Sequence, residues 1–126
     1  MNKKKYSKEE ADERNRASKR RSRLRNPEKS LAQSTACRNR MRVENRLFIR
    51  EYKENHPCRC GESSVCCLDF HHLDSSVKER NVSALSKSPV SSRRLKKEIE
   101  KCIVICSNCH RKLHNGELEY EIRDIL

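Results

Sequence analysis

Two cysteine pairs, Cys58-Arg59-Cys60-Gly61 and Cys106-Ser107-Asn108-Cys109, constrain this chain more than any other feature. The second has the C-x2-C spacing that lets two sulfurs reach one tetrahedral ion at about 2.3 Å each. The first is the tighter C-x-C, followed by a glycine that allows the backbone to turn its amides toward the thiolates. The pairs matter because little else can hold a fold together. Of 126 residues, 33% are hydrophobic and 4% aromatic, and the mean hydropathy is -1.07. A small domain of that composition needs a staple.

Disulfides would require an oxidising compartment, and the opening M-N-K-K-K-Y-S-K-E-E lacks the apolar stretch of a signal peptide. The expectation is an intracellular, reducing setting, cytoplasmic or, in a nucleated host, nuclear. There Cys58, Cys60, Cys106 and Cys109 hold a structural Zn2+. No apolar run approaches the roughly 20 residues of a membrane span, so no membrane partner is expected. Cys106-Ser107-Asn108-Cys109-His110 also matches the C-x-x-C-H haem-attachment string. That reading is set aside, because the composition offers no apolar pocket for a large flat ring.

Cys66, Cys67 and Cys102 compete for the ligand roles. Cys66-Cys67-Leu68-Asp69-Phe70 reads as a short strand whose adjacent residues point to opposite faces, so at most one of the two thiols can meet a given ion. Cys102 opens the apolar strand Cys102-Ile103-Val104-Ile105. All three are read as small core residues, and the isolated Cys37 as a lone buried thiol.

The formal charge is +12, and it is uneven: residues 1–57 carry 18 Lys and Arg against eight acids, a net of +10, and the remainder carries +2. Charge thus divides the chain near Pro57 into a basic arm, residues 1–55, and a second domain, residues 56–126. A polycationic arm gains affinity for nucleic acid by releasing condensed counterions. Arg20, Arg21, Arg23 and Arg25 lie in its densest run and are assigned to that contact, although the same run also fits a nuclear-localisation signal. Lys8 to Arg25 reads as a helix with few apolar positions, broken by Asn26-Pro27. From Leu31 to about Asn55 a second helix follows, with Val43, Leu47, Phe48 and Tyr52 as the stripe that packs on the C-terminal domain.

Four of the five histidines fall in two groups, Phe70-His71-His72 and Cys109-His110-Arg111-Lys112-Leu113-His114. A helix from Ser107 or Asn108 to Asn115-Gly116 sets His110 and His114 one turn apart on one face, with Cys109 and Leu113 about 100° round from them. One short helix then serves two sites. Between the groups, Asp74 to Pro89 reads as a loop and Arg93 to Lys101 as a helix with Leu95 and Ile99 four apart. The tail from Glu117 packs Leu118, Ile122 and Ile125.

The succession C-R-C-G, L-D-F-H-H-L-D and E-I-E-K-C-I-V-I-C-S-N-C-H-R-K-L-H resembles an HNH endonuclease of the ββα-metal class, in the cysteine-knuckle variety of phages and other mobile elements. The likeness covers about residues 56 to 115. It implies an α+β fold: a small ββα-metal hairpin-helix domain stapled by zinc, here preceded by basic α-helices. It further implies that His72 is the general base and that His71, His110 and His114 hold one catalytic divalent metal, Mg2+, Mn2+, Ni2+ or Zn2+. The partner implied is DNA. A bend at the end of the first strand is then expected to bring both His71 and His72 to the scissile phosphate. Elementary chemistry agrees with that division, since phosphodiester hydrolysis needs a base active near neutrality and a cation against the growing charge.

One position departs from the motif. Its middle asparagine should lie nine residues before His110, where this chain has Lys101. The orienting role then passes to another group, with Asn81 a substitute or simply a capping residue, and Lys101 a phosphate contact beside Arg111 and Lys112. The departure also feeds an alternative, a non-catalytic zinc-knuckle protein that binds nucleic acid. Oligomeric state is left unassigned.

Overall fold

The computed structural model describes residues 6–119, so the expected packing of Ile122 and Ile125 lies outside the described residues. The chain divides into two compact units, Met1–Cys37 and Arg38–Leu126, and the charge step near Pro57 lies inside the second.

In the first unit α1 spans Lys8–Arg25. A reciprocal capping box starts it: Ser7 Oγ accepts from the Glu10 amide at 3.2 Å and Glu10 accepts from the Ser7 amide at 2.8 Å. Glu9 and Glu10 in the first turn and Arg23 and Arg25 in the last complement the helix dipole. None of its residues is buried, so caps and charge, with no core behind them, define this helix. Proline explains the break: α2 begins at Pro27 and runs to Glu54, since the ring cannot continue one helix but suits the first position of the next.

The second unit is mixed helix and strand, as expected. After α2 come β1 (Leu68–His72), α3 (Val82–Ser86), α4 (Ser92–Ile99), β2 (Cys102–Cys106) and α5 (Ser107–His114). The two strands pair antiparallel without a bulge, from Leu68 opposite Cys106 to His72 opposite Cys102. Side chains therefore alternate between the two sheet faces along the whole of β1.

Two buried clusters pack against the sheet. Ile103 and Ile105 pack with Cys58, Cys106 and Cys109, joined at the rim by Leu113 and Leu118 of α5 and its exit. In the second cluster Val82, Leu85, Leu95, Ile99 and Cys102 pack with Phe48, Ile49, Tyr52 and Phe70. Leu85 and Leu95 are wholly buried, each contributing about 1.5–3 kcal/mol. Buried Asn45 joins α2 to the α3–α4 connection by donating to the Val90 carbonyl at 3.0 Å.

Several sequence expectations need correction. Val43 and Leu47 are exposed, and the α2 seam is instead Asn45, Phe48, Ile49 and Tyr52. The 74–89 stretch is not all loop, because α3 forms inside it and buries two side chains. Cys66 and Cys67 lie in a 3-10 turn ahead of β1, and Cys37 is exposed, so none of the three is a core residue. Cys102 is one: burial, then the nearby Glu98 charge, pushes its thiol up to about 12.

Candidate metal centres

Cys58, Cys60, Cys106 and Cys109 bring their sulfurs within 4.8 Å of one another, and this group could hold a metal ion such as zinc. The turn that delivers the first pair is closed by the Gly61 amide donating to the Cys58 carbonyl at 2.8 Å and by the Cys58 amide donating to Glu62 at 2.9 Å. Gly61 adopts φ 97°, which side-chain-bearing residues rarely do. The second pair straddles the start of α5. Cys106 is the N-cap, and its sulfur accepts from the Cys109 amide at 3.4 Å.

The donor set fits a tetrahedral ion. Sulfurs at about 2.3 Å from one centre stand ~3.8 Å apart, and Cys60 and Cys106 are separated by 3.6 Å. Electrostatics agree. For Cys58, burial pushes the thiol up, but the Cys60 and Cys106 amides and the neighbouring thiols offset this and bring it down to about 7. Cys109 is pushed up to about 12, by burial and then by its three cysteine neighbours. Charging all four sulfurs in so small a space would need a cation among them.

The second group is His71, His110 and His114, likewise within 4.8 Å of one another. β1 supplies His71 and one turn of α5 supplies the other two, as the spacing predicts. His110 Nε2 lies 3.1 Å from His71 Nδ1 and 3.1 Å from His114 Nε2. Nitrogens at about 2.1 Å from one ion are ~3.0–3.4 Å apart, depending on geometry. A single imidazole lone pair cannot accept two N–H groups well, so convergence on His110 suits a shared ion better than mutual hydrogen bonds. His71 is shifted down, by burial first and then by the other imidazoles, which favours the neutral, ligating form.

Asp69, two residues before His71 and on the same face of β1, completes this group. Its Oδ2 lies 3.3 Å from His110 Nδ1 and accepts from Ser107 Oγ at 3.2 Å. A carboxylate on Nδ1 leaves Nε2 free as the ligand atom, the usual outer partnership of a metal-binding histidine. The motif contained Asp69, but nothing in its spacing assigned it a role.

His72 lies apart from this cluster. β1 continues without the expected bend, so His72 points to the opposite face, where its side chain is 8% exposed and Nε2 lies 2.8 Å from Glu98 Oε1. Lys101 donates to Glu98 Oε2 at 2.8 Å and to the Val77 carbonyl at 2.9 Å. Its ammonium is thus engaged within the fold. Asn81 is the N-cap residue of α3, without a side-chain cap bond. Arg111 and Lys112 are exposed and line a shallow groove with Asn108, Asn115 and Glu117. Arg20, Arg21, Arg23 and Arg25 are exposed on α1 of the other unit.

Glu98 is the residue that sequence reasoning missed. It stood among six charges in Arg93–Lys101, and only its position on the Leu95 and Ile99 side of a helix hinted at burial. Comparison with known proteins adds no identity, since no family model, curated protein or solved structure matches the chain. The likeness to HNH endonucleases rests on the motif residues themselves. Among the described residues, no helix is long and apolar enough to cross a membrane.

Proposed function

We propose that this chain is a metal-dependent DNA endonuclease of the HNH type, its ββα-metal domain stapled by Zn2+ on Cys58, Cys60, Cys106 and Cys109. The observation that carries the reading is the convergence of His71, His110 and His114 from a strand end and one helix turn, beside a separate four-cysteine group. His71, His110 and His114 would hold a divalent ion, which would supply positive charge against the phosphate and leaving oxygens as negative charge grows there.

The chain's own groups do the rest. Asp69 holds His110 in its ligating tautomer. His72, the last residue of β1, takes a proton from the attacking water. A phosphodiester laid across the strand end meets the metal cluster on one side and His72 on the other. Arg111 grips the adjoining phosphate with its planar fork, and Lys112 adds charge beside it. Arg20, Arg21, Arg23 and Arg25 contact the DNA backbone through a term that ignores sequence and weakens with salt.

The burial of His72 favours one second reading, a zinc-knuckle protein that binds nucleic acid and cuts nothing. A supercoiled-plasmid assay separates the two. Nicking should stop in EDTA and return with Mg2+, Mn2+ or Ni2+, while binding persists throughout. Binding without nicking under any of these ions leaves only the binding module.

A further inference from the structure

Glu98 is a buried carboxylate with four polar contacts, to His72, Lys101 and the Glu79 and Arg80 amides. Its side chain is 1% exposed. Oε1 faces His72 Nε2 at 2.8 Å and accepts from the Glu79 and Arg80 amides at 2.9 and 3.3 Å; Oε2 accepts from Lys101 at 2.8 Å. Burial alone would push this carboxyl up, but Lys101, His72 and the two amides outweigh it and bring it down to about 2. Glu98 is therefore a carboxylate at any working pH, and a carboxylate only accepts. The nitrogen opposite it, His72 Nε2, must carry a proton, so in the neutral ring Nδ1 is the nitrogen with the free lone pair.

We propose that Glu98 is a positioning residue for His72: it fixes the ring, selects the Nε2–H tautomer and so makes Nδ1 the nitrogen that accepts the proton of water. The inference rests on the reading of His72 as base. The same carboxylate ties down the segment ahead of α3 through two amides and fixes Lys101. One side chain thereby sets the ring and its surroundings together. Placement of the contacts supports this over simple charge burial. An ion pair with Lys101 needs only Oε2, whereas Oε1 is given to His72 and to the loop that passes beside it.

The test combines nitrogen NMR with kinetics on the zinc-loaded full chain. At pH 8 the wild-type spectrum should show His72 protonated at Nε2 and unprotonated at Nδ1. This measurement needs no variant. In Glu98→Gln the two tautomers should mix and kcat for plasmid nicking should fall about 10- to 100-fold, with KM within about twofold. Glu98→Asp should recover part of the loss. A wild-type His72 protonated at Nδ1 overturns the proposal, as does a folded Glu98→Gln protein that keeps full kcat while His72→Ala is inactive. If His72→Ala itself cleaves normally, the reading of His72 as base fails, and the tautomer measurement still reports on the Glu98 pairing separately.

Discussion

Cys109→Ser is expected to unfold the domain that the four cysteines would staple and to abolish zinc binding there. The reason lies in how the core around these cysteines is made. Three of its six buried members are the thiols Cys58, Cys106 and Cys109, leaving Leu68, Ile103 and Ile105 as the hydrocarbon. Those three side chains contribute on the order of 5–9 kcal/mol at the usual 1.5–3 kcal/mol each. Zinc binding to such sites contributes an apparent ~10–16 kcal/mol, as large as the whole net stability of an ordinary domain. Circular dichroism with zinc counting should show loss of cooperative melting in Cys109→Ser, whereas Cys37→Ser and Cys67→Ser, outside the cluster, should melt like the parent. A metal-free protein that still melts cooperatively would falsify the staple.

Much of this second unit was legible in the sequence because its signals are local. The C-x2-C pair, the four-residue histidine spacing and the cap at Gly116 all lie within one turn or two of chain. α5 follows from them, as does the division of its faces between cysteines and histidines. The break at Asn26-Pro27 is local in the same sense. What escaped reading depends on contacts distant in sequence. Phe48 and Tyr52 are half-buried while Val43 and Leu47 are exposed, and only the position of α3 and α4 against α2 decides that. Glu98 looked like one more surface charge until β1 brought His72 to it from 26 positions away. Asp69 acquires its role only when α5 lies across the sheet. The bend expected at the end of β1 is absent, and the regular register puts His71 and His72 on opposite faces.

His72→Ala should abolish cleavage while leaving DNA binding and zinc content unchanged. A positioned general base contributes about 10²- to 10⁴-fold to a rate, so the variant should fall to the assay floor. Binding should not follow, because the arm carrying Arg20, Arg21, Arg23 and Arg25 belongs to a different compact unit. The side chain is also a structural partner of Glu98, and its loss leaves that carboxylate with Lys101 and two amides. Three remaining partners should keep Glu98 satisfied and the fold intact. Loss of the fold in His72→Ala, shown by a lost melting transition, would instead make His72 a structural residue.

The central claim is that His71, His110 and His114 hold the ion that works in catalysis, separately from the cysteine zinc. Its most direct measurement is the nicking rate of zinc-loaded, EDTA-washed protein titrated with Mn2+. The account predicts no nicking without added ion, saturation at one ion per chain, and a half-point raised at least about tenfold in His110→Ala and His114→Ala, with the cysteine zinc retained. Nicking that needs no added ion, or a titration unchanged in both variants, would contradict it.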